Sequence, residues 1–276
     1  MTKRIWLCAD DYGISPSVDA AIRDLVVRGR LNATSVMVVA PSLHRSEANA
    51  LNVLNSVERR VAIGLHVTLT APYRPLSDGF KPTRDGTFPS LESLLMRASL
   101  RSLDTKAFAA EVASQVRAFI KHFDRAPDFI DGHQHVHLFP QVRDAVLEVA
   151  KRDAPNAWVR QCGSPRPLAY KIGDRKGLLL DVLSRGFRRR AAALGVRTNP
   201  AFAGTYAFHD AADFAAMFPR FLEPLPDGGV VMCHPGFVDA ELQRLDPLTT
   251  LREQEYAFFV DEAFPGLLAR HGVALA

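Results

Sequence analysis

Apolar and polar positions along this chain switch between two periods. Residues 5–9, IWLCA, form a short apolar run that stops at Asp10-Asp11, as a buried strand does. SPSVDAAIRDLVVRG follows. Ser15 suits an N-cap, Pro16 the first turn and Gly29 the stop, with Val18, Ile22, Leu25 and Val26 in one stripe. TSVMVVA at 34–40 is a second apolar run, ended by Pro41. The opening β-α-β order predicts a parallel sheet with a right-handed crossover. VAIGLHVTL at 61–69 predicts a third strand, carrying His66. Residues 71–103 are broken by Pro and Gly and predict a long loop, of the kind that forms lids. Over 104–123, Phe108, Val112, Val116, Phe119, Ile120 and Phe123 recur at helical spacing behind an Asp104 cap. DFIDGHQHVH at 128–137 predicts a fourth strand, a helix follows from Pro140, and AWVRQ at 157–161 predicts a fifth strand.

The pattern then weakens. Residues 163–200 predict one or two helices, 204–208 a strand and 211–225 a helix. A buried strand over 228–236 ends at His234, and a helix at 251–264 precedes a short final strand, GVALA. No repeat and no linker interrupts the βα units. They predict one α/β domain over residues 1–276, of barrel or open-sheet type.

Composition narrows the function. With 276 residues and 47% hydrophobic content, the chain can bury a large core. The net charge of +4 is concentrated in Arg185, Arg188, Arg189, Arg190 and Arg197, just after Lys171, Arg175 and Lys176. A nucleic-acid binder carries a broader basic face, so no nucleic-acid partner is expected. Cys8, Cys162 and Cys233 are far apart and form no CxxC pair, which argues against disulfides and a thiolate metal site. The apolar stretch near the N-terminus is too short for a signal peptide and no run is long enough to span a membrane. A cytoplasmic protein is expected.

Ionisable groups collect at predicted strand ends: Asp10 and Asp11, His66, the His133–His137 cluster, and His234. In parallel α/β folds these ends form the face where sites are built. Two imidazoles and a carboxylate with open positions form a catalytic divalent-metal site. Such an ion polarises a carbonyl or acidifies water. Neighbouring Asp10 and Asp11 point to different faces, so one can hold the ion while the other takes a proton. His234 could protonate a leaving group. Period two puts His133, His135 and His137 on one face. Each feature also has a plain structural explanation: a helix cap for Asp10-Asp11, a core histidine for His66, a surface strand for HQHVH, and a turn for CHPG.

ADDYG, TSVMV, GLHVTLT, DGHQHVHLFP and CHPG occur in this order between residues 9 and 236. Together they resemble the YdjC-like carbohydrate deacetylases. The resemblance implies a distorted (β/α) barrel with a metal site at the C-terminal ends of the strands. It implies hydrolysis of the N-acetyl group of an acetylated amino sugar. Asp11, His66 and His133 would hold one divalent ion, with magnesium and zinc the first candidates. Asp10 would be the general base, and His234 the general acid or oxyanion stabiliser. His135, His137, Arg160 and Tyr12, which replaces the Phe of many relatives, would lie against the substrate or behind the ligands. The resemblance also suggests a homodimer.

Segment 160–206 is similar to a hopanoid-associated branch of the family, which implies an N-acetylglucosaminyl lipid head group as substrate. Arg188–Arg190 with Leu183, Phe187 and Leu194 would then form a cationic patch for peripheral membrane contact, or else a solvated helix face. Soluble chito-oligosaccharides are the alternative substrates. A metal-dependent phosphoesterase and a non-catalytic sugar-binding protein are further alternatives.

Overall fold

The strands assemble in the order β5-β4-β3-β2-β1-β7-β6, all parallel. They are β1 (Lys3–Tyr12), β2 (Ala33–Val36), β3 (Ala62–Val67), β4 (Phe129–Gly132), β5 (Trp158–Val159), β6 (Phe202–Ala203) and β7 (Val230–Cys233). A short β8 (Val273–Leu275) pairs with the start of β1. This computed structural model describes residues 2–58, 60–81, 83, 85–166, 175–206 and 212–276.

The two ends of the sheet curl toward each other. The Phe202 N–H donates to the Gly163 carbonyl at 3.1 Å. The Asn199 side chain accepts from Gln161 N–H at 2.8 Å and donates to its carbonyl at 3.1 Å. The Val159 N–H also donates to the Arg197 carbonyl at 2.9 Å, beside a parallel bridge from Val159 to Thr198. Backbone and Asn199 together join the edges of a seven-stranded, distorted (β/α) barrel, as expected from the sequence. β1 is central and buried on both faces, which explains its unbroken apolar run.

Helices α1 (Pro16–Val27), α2 (Arg45–Asn52), α3 (Leu91–Ser99), α4 (Thr105–Phe123) and α5 (Val142–Asp153) occupy the first half of the chain. α6 (Arg175–Leu194), α7 (Phe214–Leu222), α8 (Ala240–Leu245), α9 (Thr250–Val260) and α10 (Phe264–Arg270) occupy the second. Ser15 accepts from Val18 N–H at the start of α1, and Asp104 accepts from Lys106 and Ala107 N–H at the start of α4, as their sequences predict.

Several expectations change. β2 stops at Val36 rather than running to residue 40, and β5 covers two residues. The strand expected at 204–208 forms earlier, at Phe202–Ala203; residues 207 and 208 lie outside the described residues. The segment 71–103 contains α3. The histidine-rich stretch leaves the sheet at Gly132, and His133–Leu138 form a 3-10 turn.

α6 carries the basic run, with Phe187 fully buried and Leu183 and Leu194 packed on the core. The patch expected from these apolar side chains and Arg188–Arg190 therefore does not form, because the apolar members face inward. Arg190 pairs with Asp144 and Glu148 of α5 at 3.1 and 2.9 Å, and Arg197 binds the Asn156 carbonyl. Lys171 lies outside the described residues. Among the described residues, no helix is long and apolar enough to cross a membrane.

Candidate metal and catalytic site

Asp10 and Asp11 lie just before the end of β1, where its pairing with β2 becomes irregular, and Asp11 adopts φ 70°. A non-glycine residue in this left-handed region is uncommon and marks strained, often functional backbone. The kink sends the two carboxylates into different company.

Asp11 Oδ1 lies 3.2 Å from His66 Nε2 and 3.1 Å from His133 Nδ1. The ligand atoms of these three residues all fall within 4.8 Å of one another, and all three residues are buried. Asp11 Oδ2 accepts from Arg252 Nη2 at 2.7 Å. Burial would raise the Asp11 pKa, but Arg252 and His133 hold it well below the usual carboxylate range. Burial alone would lower the His66 pKa, but Asp131 and Asp10 reverse this and push it up to about 10. A pocket that draws a proton so strongly onto an imidazole is electrostatically suited to a cation, which would compete for the same nitrogen. The donor set, two imidazoles and a carboxylate, fits a divalent ion that accepts nitrogen ligands, as zinc does, and suits the oxygen-seeking magnesium less well.

Asp10 is held differently. Arg160 Nη1 and Nη2 donate to its two oxygens at 2.7 Å each. Burial works against ionisation, but Arg160 and His66 outweigh it and keep Asp10 ionised far into acid. Cys8, Asp10 and Asp131 form a second trio with metal-ligand spacing, but the Arg160 guanidinium already fills it. Arg160 Nη2 is 3.0 Å from Cys8 Sγ and 2.6 Å from Asp131 Oδ2.

A cavity of about 330 Å³ opens onto these groups. Asp10, Asp11, His66, His133, His135 and His234 line it, together with Gln134, Leu91, Met232 and the segment Asp246–Leu251. Its size falls at the small end of ligand pockets, roughly 300–1,000 Å³. His234 follows β7, and its backbone N–H donates to Glu255 at 2.5 Å. Tyr206 donates to the other Glu255 oxygen at 2.5 Å. Burial brings the His234 pKa down to about 4, so its ring is neutral at neutral pH.

The three clustered histidines do not share a face. Gln134 and His135 adopt φ 53° and 60°, which turns the ring directions apart. His133 points at Asp11; His135 lines the cavity, with Cys162 Sγ 3.6 Å away. His137 is fully buried, bonds the Arg160 carbonyl at 2.8 Å, and is pushed by burial to about 4. Gly132 permits this fold-back: a Cβ there would stand 2.7 Å from His137 Nδ1.

Arg160 and Tyr12 are not on the cavity wall. Arg160 stands behind Asp10 with no exposure to solvent. The Tyr12 hydroxyl donates to the Glu47 carbonyl at 2.8 Å and accepts from Arg23 at 2.7 Å, so it does not face a substrate.

Sequence reasoning passed over Asp131, Arg252 and Glu255. Asp131 is the register partner of His66 across β3 and β4, and that pairing was the available signal. Arg252 and Glu255 lie on α9, where charged residues ordinarily face water, and nothing local marks them.

The fold and the sequence match known proteins. A chitooligosaccharide deacetylase of Escherichia fergusonii is 26% identical over 262 residues, covering 94% of this chain and 88% of that protein. A solved structure described as a putative cellobiose-phosphate cleavage protein from Enterococcus faecalis V583 superposes with a TM-score of 0.76 at 21% identity. It covers 100% of this chain and 97% of that one. A lactam utilization protein from Thermus thermophilus shares the fold more distantly, with a TM-score of 0.55 at 14% identity over 99% and 98% of the two chains. The pattern of the YdjC-like proteins matches residues 4–270, from within β1 to the end of α10, and the chain belongs to that family.

Proposed function

We propose that this protein hydrolyses the N-acetyl group of an acetylated amino sugar, with a divalent ion held by Asp11, His66 and His133. The observation that carries this is the three-way approach of Asp11 Oδ1, His66 Nε2 and His133 Nδ1 at 3.2 and 3.1 Å, on a cavity that Asp10 and His234 also line. The likeness to a chitooligosaccharide deacetylase supports soluble chito-oligosaccharides as the substrate class.

When bound, the ion supplies Lewis-acid polarisation of the acetyl carbonyl and acidification of water. Asp10 takes the proton of the attacking water. Its fork to Arg160 makes it a weak base, so it holds that proton only in passing. The neutral His234 ring presents an N–H toward the developing oxyanion or passes the proton to the departing nitrogen. The amide C–N bond breaks, a C–O bond forms from water, and acetate and a free amine leave. Leu91, Met232 and Leu248 on the cavity wall exclude bulk water around the acetyl group.

A lipid-linked N-acetylglucosamine, the hopanoid head group, is the second substrate to test. Leu179 and Val182 of α6 are 42% and 64% exposed and lie near the exposed Arg185 in sequence. Acetate is measured after incubating the zinc-loaded chain with di-N-acetylchitobiose, with N-acetylglucosaminyl bacteriohopanetetrol, and with a sugar phosphate. Acetate from the first is expected. Acetate from the lipid alone moves the assignment to that substrate. Phosphate release without acetate overturns the deacetylase reading.

A further inference from the structure

His66 and Asp10 are joined by two routes. On one side, Ser35 Oγ lies 3.0 Å from His66 Nδ1 and donates to Asp10 Oδ1 at 3.2 Å. On the other, Asp131 Oδ1 accepts from His66 Nδ1 at 2.6 Å, and Asp131 Oδ2 pairs with Arg160 Nη2 at 2.6 Å. Arg160 then reaches both oxygens of Asp10 at 2.7 Å. Five side chains close a ring, and none is more than 2% exposed.

Asp131 does not line the cavity. We propose that Asp131 is a positioning residue that couples ion binding at His66 to the placement of Asp10. This rests on the metal-site reading given above. One carboxylate oxygen fixes the proton on His66 Nδ1 and leaves Nε2 facing Asp11 as the ion's ligand. The other oxygen anchors Arg160, whose guanidinium keeps its charge and whose planar fork sets the plane of the Asp10 carboxylate. A shift of His66 toward an ion is therefore passed through Asp131 to Arg160. By linkage, a change at Arg160 returns to the ion with equal free energy.

Asn at 131 cannot serve both arms. With its oxygen toward His66, its amide N–H opposes the Arg160 N–H. With its oxygen toward Arg160, its amide N–H meets His66 Nδ1 and demands the other tautomer. A buried ion pair acting only as structural packing would behave otherwise: its loss would lower stability and leave the zinc affinity of the folded chain unchanged.

The test is zinc affinity by calorimetry on the full chain, together with the proton NMR signal of His66 Nδ1–H in the ion-free protein. Asp131→Asn is expected to weaken zinc binding about 10- to 100-fold and to move the strongly hydrogen-bonded Nδ1 proton upfield, while circular dichroism stays native. Arg160→Lys keeps the charge and removes the fork. It is expected to weaken zinc binding by more than about threefold, although Arg160 is not an ion ligand. If Asp131→Asn does not fold, the Arg160→Lys result decides. Wild-type zinc affinity in either folded variant overturns the coupling. A wild-type chain that binds no zinc but keeps the His66 proton signal overturns the metal site itself, which is a distinguishable failure.

Discussion

Arg252 Nη2 donates to Asp11 Oδ2 at 2.7 Å, so the other oxygen of Asp11 is left facing His66 and His133. A residue from α9 thus divides the work of one carboxylate: one oxygen is pinned, and one is offered. Arg252 is fully buried and also binds Asp246 and the Leu248 carbonyl, which form part of the cavity wall. Arg252→Met keeps the bulk and removes the pin. Ion affinity is expected to fall about 10- to 100-fold. The ion-free chain is expected to lose about 3–5 kcal/mol, because the buried Asp11 carboxylate keeps His66 and His133 on one oxygen but loses its guanidinium partner on the other. Calorimetric zinc titration and urea unfolding, with and without zinc, measure both.

His133→Ala removes the nitrogen that approaches Asp11 Oδ1 at 3.1 Å. The variant is expected to lose bound ion and turnover together. Metal content by mass spectrometry after dialysis, set beside acetate release, checks this; a full metal complement removes His133 from the ligand set.

The strand ends were legible in the sequence because buried parallel strands are apolar until the rim. The abrupt change from Ala9 to Asp10 and from Cys233 to His234 marks that boundary. The histidine cluster was legible as a site but not in its geometry. Alternation assumes that the strand continues, whereas it ends at Gly132 and the left-handed Gln134 and His135 break the parity. α2 and α3 were missed because each is short and only Ala48 and Leu51, or Leu94 and Ala98, are buried. The partners of the site lie far away in sequence: Arg252 meets Asp11 across 241 positions. No local pattern encodes such a contact.

Gly132 connects β4 to the histidine turn. A Cβ there would come within 2.7 Å of His137 Nδ1 and 3.1 Å of the His137 backbone nitrogen. The backbone atom cannot swing aside as a side chain can. Gly132→Ala is expected to displace the turn, cost about 1–3 kcal/mol, and weaken ion binding through His133. A thermal melt and a zinc titration read the two effects separately.

Glu255 gives a pH signature. Burial lifts its pKa from an ordinary 4.5 to about 7, against the bonds from Tyr206 and the His234 N–H. The folded chain thus holds the Glu255 proton more tightly than the unfolded chain. The resulting stability is complete below pH 4.5 and is lost as pH rises through 7. Gln at 255 cannot ionise. The stability of the wild type relative to Glu255→Gln is therefore expected to fall between pH 4 and 8, by on the order of 3 kcal/mol. Chemical denaturation at both pH values measures this; a constant difference contradicts it.

The central claim is that one buried cluster holds an ion and that Asp10 uses it to cleave an N-acetyl group. The most direct test is acetate release from di-N-acetylchitobiose by three samples: the zinc-loaded wild type, the same chain after chelation, and zinc-loaded Asp10→Asn. The account predicts acetate from the first, none after chelation, bound zinc retained in Asp10→Asn, and acetate release in that variant slower by about 10²–10⁴-fold. Undiminished acetate release after chelation, or from Asp10→Asn, would contradict it.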